Sequence, residues 1–237
     1  FSWSLVDSVI SAPIPGFTPA TSLLHAFKLT PDEDKTDDIN TGTVEWKYTL
    51  DNAVAQWLAL DQTITLTYRI TIDDRHGDGV ATRDVVIIVT GTNDAPVIDA
   101  IALTPLDEQT DTEALTTSIA VTFGDVDLAD TGHTASITAA SASGTLPPVP
   151  FEEAALIALV TPGMVTKASG SATGSVDLVF SAGSTAFDYL ADTETLTLTY
   201  TVAIDDGDGG VTPQTFTVTV TGTNDAPSID LDSSEMG

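Results

Sequence analysis

The residues of this 237-residue chain best suited to chemistry are carboxylates, and they come in short groups. Asp125 and Asp127 flank a single residue in FGDVDLADTGHT (123–134), so on an extended backbone they face the same way. Two carboxylates held that close repel unless a cation sits between them. Asn93 and Asp94 lie in GTNDAP (91–96), directly after a strand-like stretch, and Asp205, Asp206 and Asp208 crowd the turn in IDDGDGG (204–210). Oxygen donors in that number suit a hard divalent cation, calcium ahead of zinc or copper. The competing reading of GTNDAP is a plain linker turn whose Pro ends strand pairing.

Catalytic patterns are missing. There is no HExxH, no GxSxG, no phosphate-cradling glycine loop and no cysteine nucleophile. His25, His76 and His133 are not spaced as a catalytic or metal pair. The carboxylate pairs have the residue type of a glycosidase, but they fall in repeated segments where a metal accounts for them better. The chain is therefore read as no enzyme. Trp46, Tyr48, Trp57, Phe180 and Tyr189 hold matched places along the chain and are expected in the core rather than on a sugar-stacking platform.

Asp plus Glu number 35 against 7 Lys plus Arg, a formal charge of −28 that argues against nucleic acid and anionic membranes as partners. At 42% hydrophobic the chain is no disordered acidic tail, so a cation is expected to offset the charge. Without cysteine there is neither a disulfide framework nor a thiolate metal site. No run of about 18 apolar residues is present, so no membrane insertion is expected.

The elements that must position these groups follow from an internal repeat. TITLTYRITIDD (63–74) returns as TLTLTYTVAIDD (195–206), an offset of 195 − 63 = 132, and VTGTNDAP (89–96) returns unchanged at 220–227, an offset of 220 − 89 = 131. The lost residue falls in the turn, where RHGDG becomes GDGG and length changes are tolerated. TGTVEWKYTL (41–50) sits opposite TGSVDLVFSA (173–182). With a unit of about 131 residues, 1–95 is expected to be one repeat without its opening strands, 96–227 a complete repeat, and 228–237 the start of another or a tail.

Leu196, Leu198, Tyr200, Val202 and Ile204 alternate with small polar residues, as do Ile64, Leu66, Tyr68, Ile70 and Ile72, the period of half-buried strands. A turn follows each, then a second strand with Val85, Ile87 and Val89, or Phe216, Val218 and Val220, facing inward. The Thr, Val and Ile content favours tandem antiparallel β-sandwiches, an all-β class. PFEEAALIAL (150–159) and TPATSLLHAF (18–27) read as short crossover helices, one in each. Since the last strand runs from the hairpin tip to the exit linker, the tip lies where the preceding linker arrives. Asn93, Asp94, Asp125, Asp127 and Asp205 are thereby expected to gather as calcium ligands.

GTNDAP after TLTLTYTVAIDDGDGG, together with FGDVDLADTGHT, resembles the VCBS and bacterial cadherin-like repeats of giant secreted, RTX-type adhesins, over nearly the whole chain. The resemblance implies immunoglobulin-like or cadherin-like modules, type I secretion, an extracellular or cell-surface location, and a rod stiffened by calcium at its linkers. It also implies acidic ligands from preceding modules: Asp61 at the first junction, and Glu108 and Glu194 with Asn224 and Asp225 at the second. The partners it implies are neighbouring repeats of the same or an adjacent chain, and a host, surface or matrix ligand in adhesion or biofilm formation. Two alternatives stay open: a module that itself binds a glycan or protein, and a filament subunit assembled by β-strand complementation. The outward Val86 and Ile88, where the second copy has Thr217 and Thr219, bear on the latter.

Overall fold

The computed structural model describes residues 2–11, 14, 18–31, 44–73, 79–108 and 113–225. It resolves into two compact units. The first comprises Phe1–Asp94 together with Asp125–Thr131 and Ala168–Ala172, and the second holds the remainder. The first copy's hairpin tip (74–78) and the segment 226–237 fall outside the described residues.

In the second unit two sheets face each other. One has the order β10-β12-β8-β6, with β11 also on β12: β6 (Val97–Ile98), β8 (Leu115–Gly124), β10 (Val160–Pro162), β11 (Thr166–Lys167) and β12 (Thr173–Ala182). The other has the order β7-β14-β13-β9: β7 (Thr104–Asp107), β9 (Thr134–Gly144), β13 (Thr195–Asp205) and β14 (Val211–Thr221). The expected alternation appears as burial. Leu196, Leu198, Tyr200, Val202 and Ile204 of β13 are sealed against Val176, Leu178 and Phe180 of β12 and Ile119, Val121 and Phe123 of β8. Such a double-sided apolar interior is what a two-sheet sandwich requires. One pairing departs from the antiparallel expectation: β7 runs parallel to β14, from Val218 opposite Thr104 to Thr221 opposite Asp107. Its sequence, TPLD, is short and contains Pro, which confines it to a sheet edge.

The first unit contains β1 (Ser2–Ser11), β4 (Thr63–Asp73) and β5 (Val80–Thr90) in one sheet, and β2 (Phe27–Pro31) with β3 (Val44–Tyr48) in another. Its registers repeat those of the second unit. Ser2 pairs with Asp73 as Thr134 pairs with Asp205, and a register shift falls at the matched place in both strand pairs. Ile64, Leu66 and Tyr68 are fully buried, with Trp57, Leu58, Leu23 and Phe27 in the same core. The two short helices are present as α1 (Ser22–His25) and α2 (Glu153–Ile157), each placing one leucine, Leu23 or Leu156, in its own core.

Of the aromatics expected inside, Trp57 and Phe180 are buried and Tyr48 and Tyr189 pack against the cores. Trp46 is the exception. It is 49% exposed and stacked on Phe27 with ring centroids 5.6 Å apart, and among the described residues its strand β3 pairs with β2 alone. Val86 and Ile88 point to solvent. Among the described residues no helix is long and apolar enough to cross a membrane.

Candidate metal centre

β8 buries Ile119, Val121 and Phe123 and ends at Gly124, and in the turn that follows Asp125 and Asp127 are buried too. Both carboxylates are nearly or wholly withdrawn from solvent, and so is Asp130. Within the first unit, short polar bonds fix this loop. The Asp127 N–H donates to Asp125 Oδ1 at 2.8 Å, an Asx-type turn, and Asp130 N–H donates to the Asp127 carbonyl at 3.1 Å. Asp125 N–H donates to the Ala172 carbonyl at 2.9 Å, and Gly170 N–H to the Leu128 carbonyl at 2.7 Å. Leu128 lies in the core cluster of Trp57, Ile64 and Leu66, and its N–H donates to the Trp57 carbonyl at 3.3 Å.

The linker residue Asp94 belongs to the same unit. Its N–H donates to Asp127 Oδ2 at 2.8 Å, and its own Oδ2 accepts from Gln56 Nε2 at 3.1 Å. Burial pushes the Asp127 carboxyl up to about 6; the Asp94 N–H opposes that rise, while the charges of Asp130, Asp125 and Asp94 add to it. Asn93 is half-buried beside Asp94. The structure thus brings Asp94, Asp125 and Asp127 within electrostatic reach of one another, with Asp130, which the motif contains but spacing alone did not single out. Among the described residues, no three or more His, Cys, Asp or Glu side chains converge as a formed metal-binding group.

Asp205 stands in the second unit, half-buried at the end of β13, and its Oδ1 accepts from Gly207 N–H at 2.8 Å. The buried carboxylate of that turn is its neighbour Asp206, whose Oδ1 accepts from Asp208 N–H at 2.7 Å and Gly210 N–H at 2.9 Å. Strand parity carries the signal, since Ile204 faces the core and so does the residue two further on. A Cβ on Gly210 would lie 2.1 Å from Asp206 Oδ2 and 2.7 Å from Ala95 Cα, so only glycine lets the Ala95 backbone rest on this turn. The Thr212 hydroxyl donates to the Pro96 carbonyl beside it.

The remaining expected ligands hold local structure. Asp61 is exposed with φ 59°, and its N–H donates to the Gly91 carbonyl; Thr193, φ 67°, makes the same bond to Gly222. A left-handed turn suits Asp at that place without any metal. Glu108 is buried, and its Oε2 accepts from Thr223 N–H at 3.0 Å, next to Asn224. Glu194 is exposed and accepts from Ala191 N–H at 3.0 Å. Asn224 and Asp225 are exposed, with Asn224 Nδ2 donating to the Asp225 carbonyl at 3.3 Å. Burial, then the charge of Glu108, pushes the Tyr189 phenol up to about 12.

No protein-family profile matches the chain, and no curated protein matches it. Similar solved structures include the protocadherin gammaB4 extracellular domain (18% identity, TM-score 0.39, covering 91% of this chain and 27% of that one). They also include zebrafish RET cadherin-like domains 1 to 4 (10% identity, TM-score 0.32, 86% and 43%). A third is CfaE, the adhesive subunit of the CFA/I fimbria of enterotoxigenic Escherichia coli (11% identity, TM-score 0.35, 68% and 59%). The chain spans between about a quarter and three-fifths of the length of these three.

Proposed function

We propose that this chain is a structural, calcium-binding repeat segment of a bacterial extracellular adhesin, a rod-like spacer whose linkers stiffen when calcium binds, serving cell adhesion or biofilm formation, and that it is not an enzyme. The observation that carries the reading is the Asp127 carboxylate: fully buried, surrounded by the charges of Asp130, Asp125 and Asp94, and reluctant to ionise below pH about 6. The donor set fits a hard cation, being made of carboxylate and amide oxygens with neither thiolate nor imidazole.

Asn93, Asp94, Asp125 and Asp127 are the residues that would hold the ion, with Asp130 joining them. Asp205 and Asp61 are proposed as further ligands at the first linker, and Glu108, Glu194, Asn224 and Asp225 at the second. Calcium, when bound, supplies two positive charges and accepts about six to eight oxygen ligands. The chain's own residues do the positioning. Leu128 anchors the acidic loop in the core, the Asp94 amide holds Asp127, and Gln56 holds Asp94. Extracellular calcium near millimolar suits repeats of this kind. Its partners would be neighbouring repeats and an adhesion target on a surface or matrix, after type I secretion.

Small-angle scattering in millimolar calcium and in chelator tests the spacer role. The expected outcome is a narrower, more extended size distribution in calcium for the parent chain, and none of that change for Asp125→Ala combined with Asp127→Ala. Identical calcium responses in the two proteins would sink the proposal.

A further inference from the structure

In the second unit β9 ends its sheet: β13 pairs with one side of it, and among the described residues no strand lies on the other. Thr145 N–H donates to the Thr195 carbonyl across the pair, so by strand alternation Ala140 and Ala142 direct their backbone groups to the open side. A side chain answers one of them. Ala140 N–H donates to Glu153 Oε1 of α2 at 3.3 Å, a long bond to an exposed carboxylate.

Beside that edge lies a groove of about 250 Å³ lined by Ala140, Ala142, Leu146, Phe151, Glu153 and Leu156. The two alanines stand opposite Tyr200 and Leu198, and one methyl each leaves the space next to them unfilled. Phe151 meets Phe187 edge-on with ring centroids 6.5 Å apart, and Leu156 is buried, so the groove is preformed; Leu146 is 49% exposed. The fold does not require this arrangement. At the matched register the first copy has Ser8 opposite Tyr68 and Ile10 opposite Leu66, and its helical stretch 18–27 contains no carboxylate.

Charge selects the occupant. Between residues 134 and 159 the charged side chains are Glu152 and Glu153, with no Lys or Arg. A second copy brings another −28 and is repelled, whereas a cationic segment is attracted. The volume lies below the range of about 300–1,000 Å³ for small-molecule sites, and its place along an open strand edge suits the side chains of an added strand.

We propose that β9 and this groove receive an extended cationic peptide of another protein, added as a strand on the open edge. Its backbone takes the Ala140 N–H from Glu153, and alternate apolar side chains fill the space beside Ala140 and Ala142. A Lys or Arg of the peptide pairs with the released Glu153 carboxylate. The groove contains none of the proposed calcium ligands, so its occupation does not depend on calcium.

The test uses the whole 237-residue chain in about 0.15 M NaCl, which screens diffuse attraction, and a fluorescein-labelled peptide of sequence TVKVTVKVT. The expected result is saturable binding by anisotropy with Kd at or below about 100 μM, with slowed hydrogen exchange at the Ala140 and Ala142 amides. Glu153→Gln is expected to weaken binding at least about threefold and Leu146→Asp at least about tenfold; both side chains are exposed, so the fold is retained. Four results overturn the proposal. They are no saturable binding up to about 1 mM, equal binding by the parent and both variants, protection confined to other strands, or a concentration-dependent dimer of the chain alone that both variants abolish, which would make a second copy the occupant.

Discussion

Burial strips water from the Asp127 carboxylate while Asp130, Asp125 and Asp94 add negative charge around it, so its folded pKa rises from the ordinary 3.8 to about 6. A carboxyl raised in this way binds its proton more tightly folded than unfolded. Its favourable contribution is full below about pH 4 and is lost as pH rises through 6. Cation-free protein is therefore expected to melt at a higher temperature at pH 5 than at pH 7, and Asp127→Asn to raise the pH 7 value and flatten the difference. Melting curves in chelator at the two pH values check this, and an unchanged difference in the variant contradicts it. A second residue contrast concerns the matched tyrosines. Tyr68 Oη donates to the Leu23 carbonyl at 2.9 Å, whereas Tyr200 Oη is buried with no hydrogen-bond partner among the described residues. Tyr68→Phe should cost about 1 kcal/mol in urea denaturation and Tyr200→Phe should be neutral or stabilising. That Asp125, Asp127 and Asp94 lie near one another was legible from spacing and motif. Asp206 was signalled by the parity of β13 although its neighbour Asp205 was the residue singled out, and Asp130 was not legible, because a chain reversal, which spacing does not encode, turns it inward.

The elements divide the GTNDAP motif into parts with separate physical reasons. Its glycine is a packing requirement: a Cβ on Gly91 would lie 2.3 Å from the Leu58 and Ala59 carbonyl oxygens, and one on Gly222 within 2.6 Å of the Leu190 and Ala191 carbonyls. Gly222→Ala should thus destabilise by about 1–3 kcal/mol without touching any ligand. The acidic loop is held by Leu128, and Leu128→Ala should cost about 2–4 kcal/mol and weaken calcium binding although it removes no oxygen donor. Denaturant titration in chelator reads the first effect, and calcium affinity the second. Period-two alternation made β4, β5, β13 and β14 readable in advance, and a Pro and Glu start made α2 readable. The parallel seat of β7 was not, since four residues containing Pro are too few to show a period or a strand direction. Nor was the exposure of Trp46.

For the whole molecule the governing quantity is the formal charge of −28, carried with a mean hydropathy of +0.16. A folded chain with that charge is under self-repulsion that cations relieve, diffusely by screening or locally by binding. The two are separable, because monovalent salt screens without coordinating and acts alike on parent and loop variants. Local binding is proposed at Asp94, Asp125 and Asp127. Its most direct test is calorimetric titration of calcium into chelator-stripped protein at physiological monovalent salt, with melting temperature followed in parallel. Saturable binding at or below millimolar calcium and a raised melting temperature are expected, both abolished in Asp125→Ala with Asp127→Ala. No binding at millimolar calcium, or binding unaltered by the double substitution, would contradict it and leave GTNDAP an ordinary linker turn.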